Sequence, residues 1–157
     1  MKNLSAFFLA LIVAACQAPP PFPQGTGAVV KLDLINRAAC GRLRMYSEGG
    51  WTPPQDVIAS LEAALVRRLV RELERDAETF EFTPLASSDY YRRYAGATVE
   101  GRRIVVICGE ARLLYDERGA DWRTMTIPYR DGGSWSFGAH YDPEADEITY
   151  FEFGFVG

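Results

Sequence analysis

His140 is the only histidine in the 157-residue chain, and an alternating strand through it would set Ser134 and Ser136 on the same face. A hydroxyl and an imidazole are the parts of a nucleophile and its base. No nucleophile-elbow sequence accompanies them, so His140 is expected to be structural or solvent-facing, and no catalytic residue is assigned. Asp142, Glu144, Asp146 and Glu147 offer oxygens to calcium but lack the alternation and central glycine of an EF-hand loop. A hairpin turn containing Pro143 accounts for them more simply. A single histidine makes a poor zinc site, no carboxylate pair is marked out for glycoside cleavage, and no glycine-rich loop leads into a helix to hold phosphate. Neither a metal nor a cofactor is expected.

Arg67, Arg68, Arg71 and Arg75 form a basic strip with Glu62, Glu72, Glu74 and Glu78 interspersed. Such spacing favours an ion-paired, solvated helix face over a phosphate-binding one. The formal net charge is −4, with acids interleaved among the arginines, and that balance gives no nucleic-acid footprint. Hydrophobic residues make up 48% and aromatics 13%, enough for one packed domain.

Residues 1–15 have the organisation of an export signal: Lys2 for the positive end, an apolar "FFLALIV", then the small Ala14 and Ala15. The apolar run is too short to span a bilayer as a helix. At Val13-Ala14-Ala15-Cys16 the chain resembles the lipobox of bacterial lipoproteins. The resemblance implies diacylglycerol on the Cys16 thiol, cleavage before it, and acylation of the new amine, so that the membrane becomes a partner through the lipid. Gln17 in place of aspartate implies the outer membrane, facing the periplasm. Residues 16–27, with Pro19, Pro20, Pro21 and Pro23, then serve as a stiff polyproline tether of about 3.1 Å per residue. With Cys16 assigned to lipid, Cys40 and Cys108 remain as an even pair in an oxidising compartment, and a disulfide between them is expected. It would close a loop of nearly 70 residues, a contribution of about 4 kcal/mol.

Residues 28–157 are expected to form a single α+β domain. "AVVKLDLI" predicts a first strand over 28–35, and a long helix runs from about Pro53 to Asp76. Thr52 and Gln55 have capping-box spacing, and Ile58, Leu61, Leu65, Leu69 and Leu73 form one apolar stripe. Beyond it the period becomes two. A hairpin turns at Glu100-Gly101, with Ala95 and Ala97 opposite Val106 and Ile104 as a seat for the helix. A second hairpin is expected to turn at Asp131-Gly132-Gly133, with Trp135, Phe137, Ala139 and Tyr141 on one face. A last strand aligns Phe151, Phe153 and Phe155. One long helix packed on an antiparallel β-meander looks like the cystatin-like layout.

Residues 89–157 resemble small exported bacterial proteins of unknown function, through "YYRRYAG", "DGG", "YD" and "FEFGF", which adds to the fold and nothing to the chemistry. Trp135, Tyr141, Phe151, Phe153 and Phe155 are singled out as a possible contact patch, although most such aromatics pack in cores. The expected role is a non-enzymatic binding or assembly-accessory module with an envelope protein partner. The alternatives are a small periplasmic enzyme with a pocket between helix and sheet, or a hydrolase inhibitor presenting the loop from Gly109 to Asp121.

Overall fold

The computed structural model describes residues 21–37, 47–77, 85–127 and 133–154. They form an α+β arrangement of one long helix and a six-stranded sheet. The strands are β1 (Gly27–Val29), β2 (Gly49–Trp51), β3 (Tyr90–Val99), β4 (Arg102–Ala111), β5 (Ser136–Asp142) and β6 (Glu147–Phe153). The helices are α1 (Leu32–Arg37), α2 (Gln55–Ala77) and the single turn α3 (Leu113–Asp116).

β3 to β6 make an antiparallel meander, and the outer edge of β3 is completed by two short strands end to end. β1 lies parallel to Arg92–Tyr94 and β2 antiparallel to Gly96–Thr98. The sheet is therefore mixed, not the purely antiparallel meander expected. The first strand is also shorter than 28–35. Its chain leaves β3 after Val29 and turns into α1, where Ile35 is buried. "VVKLDLI" carries apolar residues that satisfy both periods, and short runs of that kind do not choose between them.

The β3–β4 turn falls at Glu100-Gly101 as expected. Val99 pairs with Arg102, and both turn residues have positive φ, 51° and 74°, the backbone of a hairpin turn that matches strand twist. Part of the expected second hairpin, residues 128–132 with the turn at Asp131-Gly132, lies outside the described residues. One edge of β5 is taken by β4 and the other by β6.

Helix α2 places Ile58, Leu61, Leu65, Leu69 and Leu73 against Tyr90, Tyr94, Val105, Ile107, Phe137, Ala139 and Tyr141. Ala95 and Ala97 do pair with Val106 and Ile104, but on the opposite face. Their seat belongs to Ile35 of α1, not to the long helix. A third cluster, Ala111, Leu114, Tyr115, Trp122 and Ile127, packs near the start of β3. No helix among the described residues is long and apolar enough to cross a membrane.

Candidate functional site

The split outer row of the sheet leaves an opening. Where β1 and β2 meet, an open cleft of about 760 Å³ is lined by Val29, Leu32 and Trp51 together with Lys31, Asp33 and Arg123. Trp51 sits there because Gly96 has no side chain. A Cβ on Gly96 would overlap the Trp51 carbonyl and indole ring, and the indole Nε1 donates to Ala97 O at 3.1 Å. On the helix side of β1 a smaller hollow of about 230 Å³ is lined by Phe22, Ile58, Glu62 and Tyr94. An apolar lining with a few charged groups suits a small ligand or an inserted side chain.

Below the hollow, Arg92 is buried with every nitrogen engaged. Its Nε donates to Tyr94 Oη at 2.8 Å and Nη1 to Tyr90 O at 2.9 Å. Nη2 donates to Thr26 Oγ1 at 2.9 Å and lies 3.3 Å from Glu62 Oε1. The Tyr94 hydroxyl in turn donates to Glu62 Oε1 at 2.7 Å. The guanidinium stacks over Phe22, 3.7 Å from its ring centre, a cation–π contact removed from water. Burial pushes the Tyr94 hydroxyl far above the ordinary phenol range, so at neutral pH it is a donor and not a nucleophile. Phe22 and Thr26 are both buried, so the packed body reaches back past Ala28 into the stretch expected to be tether.

Arg93 points to the other face and is equally buried. It pairs with Glu110, donates to Met125 O at 3.1 Å and to Tyr115 Oη at 3.0 Å, and Tyr115 Oη donates to Glu110 Oε2 at 2.6 Å. Burial lowers the Arg93 pKa but leaves a guanidinium charged. The triad is closed on itself. It fixes the 113–127 segment to the sheet, where Leu114, Tyr115 and Trp122 are buried and Asp116 to Gly119 are exposed.

Sequence reasoning did not single out either arginine. The available signal was adjacency within a strand, because neighbours in a period-two run must face opposite ways and both faces here are covered.

The residues singled out from sequence are dispersed. His140 is half-buried with its ring 4.6 Å from that of Tyr150, and burial lowers its pKa to about 4. Ser136 shares its face, and the serine Oγ lies where a Cβ on Gly154 would fall. Tyr141 is buried, its hydroxyl donating to Asp146 Oδ1 at 2.5 Å and pushed up to about 12 by burial and that carboxylate. Phe151 stacks on Phe137 and meets Phe153 edge-on, both half-covered beside α2. Trp135 belongs instead to the cluster around Tyr115, and Phe155 lies outside the described residues.

Asp142 Oδ1 accepts from the Glu144 and Ala145 amides at 2.9 and 3.2 Å, turn work for the acidic run. No group of three or more metal-ligating side chains occurs among the described residues. On α2, Glu72 lies between Arg68 and Arg75 and pairs with both. Cys108 is buried on β4 with its Sγ 3.9 Å from Glu110 Oε2, while Cys16 and Cys40 lie outside the described residues. Compared with protein-family models, curated proteins and solved structures, the chain gives no match.

Proposed function

We propose that the protein is a lipid-anchored binding or assembly-accessory module of the cell envelope, acylated at Cys16 and presenting the cleft beside β1 to its ligand or partner. The observation that carries the proposal is the Arg92 clamp on Phe22 and Thr26. It ties the chain that follows the proline run to the same sheet edge that holds the cleft. Gln17 after the cysteine supports an outer-membrane address facing the periplasm. The disulfide Cys40–Cys108 is part of the proposal, resting on the even pair of cysteines left once Cys16 is acylated; Cys108 is buried on β4. A long helix across one face of an antiparallel meander supports the cystatin-like layout as an analogy of arrangement.

Palmitate labelling of the wild type and of Cys16→Ser tests the anchor. Label should enter only the wild type, and the variant should accumulate as uncleaved precursor. Unchanged processing with soluble release would overturn the anchor. The mature protein, unfolded without reductant, should show no reactive thiol, and titration of two would remove the disulfide.

A further inference from the structure

The chain between Cys16 and the packed body is short, and the body has an uneven surface where that chain joins it. Phe22 is the first residue held by Arg92, six peptide units from Cys16. At no more than about 3.6 Å each, these units reach roughly 22 Å at most. Three large apolar side chains stand out to solvent among the described residues, and two of them, Val29 and Met125, at 42% and 51% exposure, belong to this end. Val29 is the last residue of β1. Met125 lies two residues beyond Arg123, whose Nη2 donates to Gly25 O at 3.2 Å and binds the two segments together.

Lys31 and Arg123 stand at the same place. The acids there are Asp33 and Asp121, so these four residues balance: Asp121 Oδ1 lies 4.0 Å from Arg123 Nη1, and Asp121 also accepts from the Arg123 amide and the Thr124 hydroxyl, each at 3.0 Å. The opposite edge of the sheet is different in kind. β6 and its turn carry Glu144, Asp146, Glu147 and Glu152, which an anionic lipid surface repels. Four strand spacings of about 4.8 Å separate the two edges.

We propose that the β1 edge, with Val29, Lys31, Arg123 and Met125, lies against the lipid surface to which Cys16 is attached. This rests on acylation of Cys16, and it sets the mouth of the cleft at the level of the headgroups.

The test uses the full acylated protein in vesicles of phosphatidylethanolamine and phosphatidylglycerol. The photoreactive residue p-benzoylphenylalanine replaces Val29, Met125 or Thr149, the last an exposed residue of β6. After irradiation, lipid adducts at 29 and 125 should exceed those at 149 several-fold. The Met125 site, on a loop, keeps the test open if the Val29 replacement disturbs β1. Equal adducts at all three sites, adducts mainly at 149, or none at 29 and 125 would overturn the proposal. Palmitate incorporation is read in the same samples. If the wild type takes up none, the anchoring reading fails and the orientation with it; if palmitate is present and the adduct pattern is wrong, only the orientation fails.

Discussion

Arg92 and Arg93 leave β3 on opposite faces, and each finds a carboxylate, a phenol and a backbone carbonyl before it reaches water. A buried ion pair contributes little net stability over apolar residues of the same shape, yet losing one partner strands a charge. Arg93→Met should therefore cost about 3–5 kcal/mol by leaving Glu110 uncompensated. Arg93→Met with Glu110→Leu should recover most of that loss. Urea unfolding of the two variants decides it, and equal losses in both would mean that packing around the guanidinium stem, not charge, is what Arg93 supplies.

His140 makes a second prediction at this scale. Its pKa falls from 6.5 to about 4 on folding because burial disfavours the imidazolium. Between these values the unfolded chain binds the proton and the folded one does not, so stability is full above pH 6.5 and drains away as the pH falls towards 4. The His140 share is on the order of 2 kcal/mol after discounting for its partial exposure. In His140→Phe that share of the acid sensitivity should vanish, as read by urea midpoints at pH 7 and pH 4.5.

At the scale of elements, the fit of Trp51 to Gly96 decides whether β2 stays on the sheet. Gly96→Ala would drive a methyl group into the Trp51 carbonyl and ring, and backbone cannot swing aside as a long side chain can. A loss of about 1–3 kcal/mol is expected, with lowered protection of the Glu48 amide that donates to Thr98 O at 2.8 Å. Normal protection there would place the strain elsewhere. α2 and the 99–102 turn were legible because their signals are local: a five-residue apolar stripe, and a Glu-Gly pair able to take positive φ. Thr52 and Pro53 marked the helix start to within two residues of Gln55. β1 was not, since a three-residue strand exists only through its partner on β3, far along the chain. α1 hid inside the same apolar run. The cleft was illegible for the same reason, being a gap between two short strands that meet only in space. The aromatic residues of β5 and β6 were grouped correctly by alternation up to Trp135, where a 3₁₀ turn breaks the period and carries the indole to another cluster.

For the molecule as a whole, the question is whether the segment Phe22–Val29 belongs to the cooperative core or opens by itself. Its bonds to the rest include the Arg92 amide to Thr26 O and, just beyond it, the Val30 amide to Tyr94 O, both 2.8 Å, together with Arg92 Nη2 to Thr26 Oγ1, Arg123 Nη2 to Gly25 O and the Phe22 ring under the guanidinium. A phenylalanine buries roughly 150 Å² or more, which at about 25 cal/mol per Å² is close to 4 kcal/mol as an upper bound. Phe22 lies at the rim of the core cluster, so Phe22→Ala is expected to cost about 2 kcal/mol, equivalent to roughly a thirtyfold change in an opening equilibrium. If the segment opens locally, hydrogen exchange at the Arg92 and Val30 amides should quicken by that factor while Ile107, in the middle of β4 between two paired neighbours, keeps its rate. If Ile107 quickens equally, the segment unfolds only with the whole sheet. The first outcome would mean that force applied through the N-terminal chain can detach β1 and uncover the cleft from its outer side. The second would mean that the chain and the cleft move as one body, with the β1 edge kept at a fixed angle to whatever the N-terminus is bound to.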